Sequence, residues 1–474
     1  MTKFDYNLIV LGGGSAGLIA SMVGAQARAK VLLVEQDRLG GDCLYTGCIP
    51  SKTLLASARV AHIVKHAKEF GVSTTAQEID YERIMERIRA VIKSIEPKDS
   101  IERFSRLGVE CVVGQAQIVD PHTVVVNDRH YSGRSILIAT GSKPKIPNIQ
   151  GLDKSNYVTS DTIWNMESLP RKLMIVGGGA VGCELGQAYA RLGSSVTLVE
   201  AADRILPQAD REVSDLITSL FEAEGLDLVT NIKIENCSSR SVVFQSNGIT
   251  KEFNFDQLLI ATGRTPVVHG FGLDDLGVEL NRHGGLKVNQ YLRTSVPSIY
   301  ACGDVLGANF FTHVAGQQGW FASMNALIRP FWKFKFNDEV IPSAVFTDPE
   351  IASVGINESQ AIVREIPYTA TVSPLSEFDR ALTESRTEGF VKLLTVPGRD
   401  RLIGASIVSQ HAGELIASCV NAMTRGYGAN TILSTIHTYP TWTEALRNTT
   451  GQLRRQSAPE FLLKISERIN RWLR

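Results

Sequence analysis

Tyr6-Asn7-Leu8-Ile9-Val10-Leu11-Gly12-Gly13-Gly14-Ser15-Ala16-Gly17 carries an apolar run into three consecutive glycines near the start of the chain. The run reads as a buried strand, Gly12, Gly14 and Gly17 stand in GxGxxG spacing, and an Ala-rich helix to about Ala29 follows. A second strand, Val31–Val34, ends in Glu35. A lone GxGxxG is weak evidence. Strand, glycines, helix, strand and acid in that order are much stronger, because each part has a task. The glycines let the backbone approach a pyrophosphate, the helix N-terminus receives its charge, and the acid accepts hydrogen bonds from a ribose.

The whole unit recurs. Leu173–Val176 reads as a strand, Gly177, Gly179 and Gly182 repeat the spacing, and Val196–Val199 ends in Glu200. Adding 165 to positions 12, 14, 17 and 35 gives 177, 179, 182 and 200, so one offset relates all four. A second echo joins Ile138-Ala139-Thr140-Gly141 to Ile260-Ala261-Thr262-Gly263, each a strand end before a tight turn. The chain is therefore an α/β protein with two dinucleotide folds.

Directly after the first unit comes Gly40-Gly41-Asp42-Cys43-Leu44-Tyr45-Thr46-Gly47-Cys48-Ile49-Pro50-Ser51-Lys52. Two thiols this close at a helix start can close a small disulfide ring, and the helix N-terminus favours a thiolate. Such a short loop gains little as a structural staple, so the pair reads as redox-active. Zinc would need two more ligands at zinc-like spacing, and no second Cys or His pair supplies them. Two dinucleotide sites beside a dithiol imply two dinucleotides exchanging electrons. The unit attached to the cysteines is expected to hold a flavin, and the second unit a nicotinamide nucleotide. Glu200 would repel a 2′-phosphate and bond a free 2′-hydroxyl, which favours NAD over NADP, with Arg204 the one nearby cation that argues the other way.

Composition agrees with an ordinary enzyme. The 474 residues suggest roughly three domains, and Lys+Arg and Asp+Glu both total 49, so no global charge points to nucleic acid. Of seven cysteines, five (Cys111, Cys183, Cys237, Cys302, Cys419) are scattered, which fits a reducing, cytoplasmic setting. The apolar stretch Leu8 to Ala20 is broken by Gly12, Gly13 and Gly14 and has no basic n-region beyond Lys3, so it does not read as a signal peptide.

With Ser298-Ile299-Tyr300-Ala301-Cys302-Gly303-Asp304, Val345-Phe346-Thr347-Asp348-Pro349-Glu350 and Tyr439-Pro440-Thr441, these motifs resemble the FAD-dependent pyridine nucleotide–disulfide oxidoreductases. That family includes dihydrolipoamide dehydrogenase, glutathione reductase and mercuric reductase. The resemblance, from about Phe4 to Gly451, implies two Rossmann-like dinucleotide-binding domains, for FAD and NAD, plus a C-terminal α+β dimerisation domain. The expected boundaries are 1–152 and 271–340 for the FAD-binding and central parts, 153–270 for NAD, 341–450 for the interface and 451–474 for a basic amphipathic helix. It further implies a homodimer whose active site is shared across the interface.

The resemblance also assigns roles. Gly12, Gly14, Ser15, Gly17, Glu35, Gly41, Lys52, Thr140, Gly141 and Asp304 would contact FAD; Gly177, Gly179, Gly182, Glu200 and Gly263 would contact NAD. Electrons would pass from NADH by way of the flavin to the cysteines, with Cys48 flavin-proximal and Cys43 the interchange thiol. Lys52 would lie against the flavin with Glu184 as its ion-pair partner.

One position departs from the family. Its disulfide reductases carry a His before the C-terminal Pro, acting across the dimer as acid–base, and a Glu four residues after that Pro. Here Tyr439 precedes Pro440, while Glu444 is in place. A phenol with pKa about 10 is a poor base near neutrality, where an imidazole of about 6.5 is well matched. His437 lies two residues earlier, on the same side of an extended segment, and is the alternative base. Mercuric reductases also lack the His but carry a C-terminal Cys pair, whereas the last cysteine here is Cys419. The leading expectation is an NADH-dependent flavoenzyme, dihydrolipoamide dehydrogenase-like, that reduces a small-molecule or protein disulfide. The alternatives are a mercuric reductase-like metal-ion reductase and, from another class, a flavin- and NADH-binding sensor module. No resident metal is expected.

The tail reads as a helix opened by the capping box Ser457-Ala458-Pro459-Glu460. Phe461, Ile465, Ile469 and Trp472 share one face, flanked by Lys464, Arg468 and Arg471. Packing against the dimer body is the favoured reading, and peripheral contact with an anionic membrane is the alternative.

Overall fold

In a computed structural model, which describes residues 4–74, 78–246, 248–329, 331–456 and 460–474, the opening apolar run becomes the strand Tyr6–Leu11 at the centre of a sheet. Val31–Glu35 pairs parallel on one side and Arg129–Ile138 on the other; Val109–Val113 and Ile299–Ala301 extend the parallel set. Leu8, Ile9, Val10, Leu32, Leu33 and Ile136 are fully buried, as continuous apolar runs in a sheet covered on both faces should be. The helix Ser15–Gln26, three residues shorter than the Ala-rich pattern predicted, packs on Thr312–Ile328 so closely that a Cβ on Gly319 would fall 2.3 Å from the Ala16 carbonyl oxygen.

The second copy of the unit builds a second parallel sheet, in the order Asp227–Val229, Ser195–Val199, Lys172–Val176, Gln257–Ile260, Tyr157–Thr159. The two sheets are joined by two chain crossings whose strands, Ser142–Pro144 and Arg264–Pro266, pair antiparallel. Each crossing begins at one of the Ala-Thr-Gly turns. Thr140 Oγ1 donates to Val267 O at 2.7 Å and Thr262 Oγ1 to Lys145 O at 2.8 Å, so the two threonines pin the crossings to one another.

These sheets form one compact unit, through Asp203 and again over Glu224–Asn337. The other unit comprises Asp338–Arg474 together with Arg204–Ala223, a segment that the sequence reading had placed within the NAD region. Its antiparallel sheet runs Pro342–Val345, Glu350–Gly355, Leu402–Ser409, Phe390–Thr395, Thr369–Pro374. Lys392, 1% exposed on this sheet, donates to Asp210 Oδ2 at 3.1 Å and to Glu212 and Glu358, and so fastens Arg204–Ala223 within the unit. Those three carboxylates could ligate a cation, but the ammonium already lies among them.

The tail is two helices. Residues 451–456 complete Thr443–Gln456, and a separate helix spans Glu460–Trp472. Of the expected capping box, Ser457, Ala458 and Pro459 lie outside the described residues. Among the described residues no helix is long and apolar enough to cross a membrane.

Candidate active site

Both glycine turns are built alike. Gly12 holds φ +106°, and a Cβ there would lie 2.2 Å from Ala139 O; Gly177 holds φ +113°, with Ala261 O at 2.4 Å. Only glycine tolerates that backbone at that distance. Gly17 and Gly182 have another task. A Cβ on either would strike the carbonyl oxygen of Gly12 or Gly177, at 1.8 and 1.9 Å, so they permit the helix to start tight against the turn. The middle glycines are different again. A Cβ on Gly14 would meet nothing nearer than 3.9 Å, and one on Gly179 nothing within 4 Å. Space has been left in front of these two helix starts, where a pyrophosphate would approach.

The acids match too. Glu35 Oε2 accepts from Gly13 N at 2.6 Å and Oε1 from Asp37 N at 3.0 Å; Glu200 Oε2 accepts from Gly178 N at 2.6 Å and Oε1 from Ala202 N at 2.8 Å. Each carboxylate is thus fixed at the rim of its glycine turn with lone pairs remaining for a ribose. Arg204, the residue that spoke for NADP, donates to Pro207 O at 3.2 Å.

The first turn opens on a cavity of about 510 Å³ lined by Gly12, Gly14, Ser15, Glu35, Gly41, Asp42, Cys43, Thr140, Gly141, Asp304 and Thr312, among others. Nearly all of the residues expected to touch FAD therefore converge. The exceptions are Gly17, used for packing, and Lys52. A glycine cradle, a helix N-terminus, a ribose-side carboxylate and a long cleft fit a flavin dinucleotide.

Cys43 lines this cleft, and Cys48 lies beside it. Cys43 lies in the short helix Gly41–Tyr45, and Cys48 is the first residue of Cys48–His66. Buried Leu44 anchors the intervening loop, Arg38 stacks on Tyr45 at 3.6 Å, and Trp164 Nε1 donates to Thr46 O at 2.8 Å. Both sulfurs are free thiols, joined by a hydrogen bond. Thr312 Oγ1 stands 3.3 Å from Cys48 Sγ, delivered there by the packing of its helix on Ser15–Gln26. The bond from Cys43 pulls Cys48 below the usual thiol range, to about 6; burial opposes this, while Thr312 and the Lys52 charge assist it. Cys43 moves far upward, through the same bond and through burial, against hydrogen bonds from Thr312 and Ser15. The thiolate of the reduced pair therefore resides on Cys48.

Lys52, one helical turn beyond Cys48, donates to Glu184 Oε2 at 2.8 Å. Glu184 is buried on Ala180–Arg191, the helix that follows the second glycine turn. This ion pair ties the cysteine helix to the second nucleotide unit.

Two groups in this site had not been anticipated. Thr312 gave no signal, since 264 residues separate it from Cys48. Arg264 was adjacent to a signal, the second Ala-Thr-Gly turn. Its guanidinium bonds Ser142 Oγ at 2.6 Å, pairs with Asp42, lies 3.5 Å from Asp161 and reaches 4.0 Å from Asp304 Oδ2. Ser142 Oγ in turn donates to Asp304 Oδ2 at 2.7 Å. Burial pushes Asp42 up to about 6; Arg264 opposes this and the Asp161, Asp304 and Glu35 charges reinforce it.

The C-terminal residues belong to the other unit. Tyr439 OH donates to Asp379 Oδ2 at 2.7 Å, and that bond, then the Asp379 charge, raises the phenol above its ordinary range. His437 Nε2 lies 3.1 Å from Ile432 O, which can only accept, so that nitrogen carries the hydrogen. Tyr439 and His437 are tied to different elements, and Glu444 keeps Oε2 buried with no hydrogen-bond partner among the described residues.

The chain matches the family described as pyridine nucleotide-disulphide oxidoreductase over residues 6–319, and that family's dimerisation domain over 341–450. It is 33% identical to mercuric reductase from Bacillus cereus, over 94% of this chain and 71% of that protein. It is 35% identical to dihydrolipoyl dehydrogenase from Geobacillus stearothermophilus, over 91% of this chain and 93% of that protein. Among solved structures, the HOCl-induced flavoprotein disulfide reductase RclA from Escherichia coli superposes with TM-score 0.83 at 27% identity, covering 94% of this chain and 99% of RclA.

Proposed function

From the premise that the chain belongs to the pyridine nucleotide–disulphide oxidoreductase family, as an enzyme using FAD and NAD(H) and carrying a dimerisation domain, we propose that it reduces disulfide-type acceptors through Cys43 and Cys48. Bound FAD supplies the two-electron relay between the pyridine nucleotide and the cysteine pair. The chain's own residues do the rest. Cys48, held as a thiolate by Cys43, Thr312 and Lys52, is the sulfur poised on the flavin side. Cys43, which lines the cleft, is the sulfur that attacks the acceptor as its proton passes to the Cys48 thiolate. A mixed disulfide forms, the first acceptor sulfur leaves and takes up that proton, and Cys48, again a thiolate, attacks the Cys43 sulfur and releases the second acceptor sulfur. Lys52, neutralised by Glu184, orients that end of the site. Tyr439 and Glu444 of the partner subunit would serve as its proton-handling side.

The observation that carries this reading is the placement of two free thiols side by side, Cys43 lining the cleft that the first glycine turn opens on and Cys48 with Thr312 Oγ1 at 3.3 Å and the Lys52–Glu184 pair one helical turn on. Partly exposed thiols beside a cation and a helix start belong to reactive rather than structural cysteines. The test is NADH oxidation with lipoamide, oxidised glutathione and a protein disulfide in turn. Cys43→Ser should keep FAD and NADH binding and lose disulfide turnover; full turnover in that variant refutes the assignment.

One observation favours metal ions as a second acceptor class. Tyr439 is held protonated by Asp379, so the position offers a donor where disulfide exchange would use a base. Metal reduction needs thiolates more than proton transfer. Assays with Hg(II) in excess thiol, on wild type and Tyr439→His, separate the two. Wild type that turns over lipoamide supports the first reading; wild type that turns over only the metal, with lipoamide turnover rising sharply in Tyr439→His, supports the second.

A further inference from the structure

We propose that the C-terminal helix Glu460–Trp472 is a docking element for an anionic phospholipid surface, lying in the plane of the bilayer with its apolar face in the headgroup–acyl boundary. This is independent of which acceptor the enzyme reduces.

The helix buries no side chain, whereas the preceding helix Thr443–Gln456 buries Ala445, Leu446, Thr449, Thr450 and Leu453. At about 100° per residue, Phe461, Trp472, Ile465, Ile469, Leu462 and Leu473 fall in one arc of about 120°. Within it Phe461 is 63% exposed, Ile469 51% and Trp472 84%. Scattered apolar residues on a surface need no account, but a continuous stripe along a whole helix does.

Charge says what covers it. Residues 454–474 contain six cations (Arg454, Arg455, Lys464, Arg468, Arg471, Arg474) and two acids (Glu460, Glu467), in a chain whose cations and acids balance only when this tail is included. Both acids are engaged inside the helix, Glu460 with Lys464 and Glu467 with Arg471. Arg468, on the edge of the apolar arc, has no carboxylate partner among the described residues. A positive rim on an apolar stripe with an aromatic side chain near each end complements anionic headgroups above hydrocarbon. A second copy of this chain is the weaker occupant, because the match to the family's dimerisation domain ends at residue 450, before this helix begins.

The test is co-sedimentation of the FAD-loaded enzyme with phosphatidylglycerol-rich and with pure phosphatidylcholine vesicles, with light scattering for oligomeric state. Wild type should partition onto the anionic vesicles, weakly onto the neutral ones, and be released by high salt. The triple variant Lys464→Gln, Arg468→Gln, Arg471→Gln should partition about a hundredfold more weakly, at about 1 kcal/mol per cation. Ile465→Ser with Ile469→Ser should do likewise, with NADH turnover and dimer mass unchanged. Three results overturn the proposal: no partition of wild type onto anionic vesicles, equal partition onto neutral ones, or dissociation of the dimer by the apolar-face variant. The last would assign the stripe to a second copy.

Discussion

The sharpest consequence of the glycine geometry is that two substitutions three residues apart should fail for opposite reasons. Gly179 has φ −76° and ψ −172°, open to any residue, and its Cβ would meet nothing within 4 Å. Alanine there loses some N-cap preference, about 0.5–1 kcal/mol. It gains about 0.4–1 kcal/mol from a stiffer unfolded chain. The net change in stability should lie within about 1 kcal/mol. The methyl group, however, fills the space left for a pyrophosphate, so the NADH dissociation constant should rise at least tenfold, about 1.4 kcal/mol. Gly182→Ala instead places a methyl 1.9 Å from Gly177 O, where about 3.3 Å is the closest comfortable carbon–oxygen approach. Turn and helix must part by more than an ångström, which should cost about 3 kcal/mol or more. Thermal unfolding and NADH titration of both variants, with bound-flavin absorbance as a control, read the two effects separately. Wild-type NADH affinity in Gly179→Ala, or wild-type melting in Gly182→Ala, refutes the reasoning.

Other outcomes are equally specific. Alkylation of the reduced enzyme by iodoacetamide should follow the one negative charge the pair shares: the rate holds above pH about 6 and falls as pH drops through it, because protonation of the Cys48 thiolate leaves neither sulfur as a nucleophile. A rate that keeps rising from about pH 6 to about pH 9 would contradict this. Lys52→Met should shift the same inflection upward by removing a nearby positive charge, and should destabilise by about 1–3 kcal/mol in guanidinium unfolding. That range lies between exposed and buried pairs, since Lys52 is part exposed while Glu184 is buried. Lys392→Met should cost about 3–5 kcal/mol by leaving Asp210, Glu212 and Glu358 together without their cation. Burial disfavours the Lys392 ammonium but the three carboxylates outweigh it and hold it up to about 12. Its contribution is thus intact below the ordinary lysine pKa of about 10.4 and lost as pH climbs toward 12. A stability curve flat over that window would count against the cluster's role.

How much of this could be read before the chain was folded depends on how local each feature is. The strand–glycine–helix–acid unit, its copy at an offset of 165 residues and the Cys43/Cys48 pair are properties of short segments. Backbone sterics at Gly12 and Gly177, packing at Gly17 and Gly182 and the dipole at a helix start act within about one turn, so residue type and spacing were enough to infer them. Fold class and cofactors follow from the same local rules. What the tertiary structure alone decided is which remote side chains meet. Thr312 reaches Cys48 only because Gly319 lets two helices touch, and Arg264 gathers Asp42, Asp161 and Ser142 only because two crossings pair. Lys392 finds three acids drawn from two distant stretches of chain. Such meetings depend on packing distances of a few ångströms summed over whole elements, and no pattern of neighbours along the chain encodes them. The direction in which the two thiols share their proton belongs to this second class, and it decides which sulfur carries the thiolate in the resting reduced enzyme.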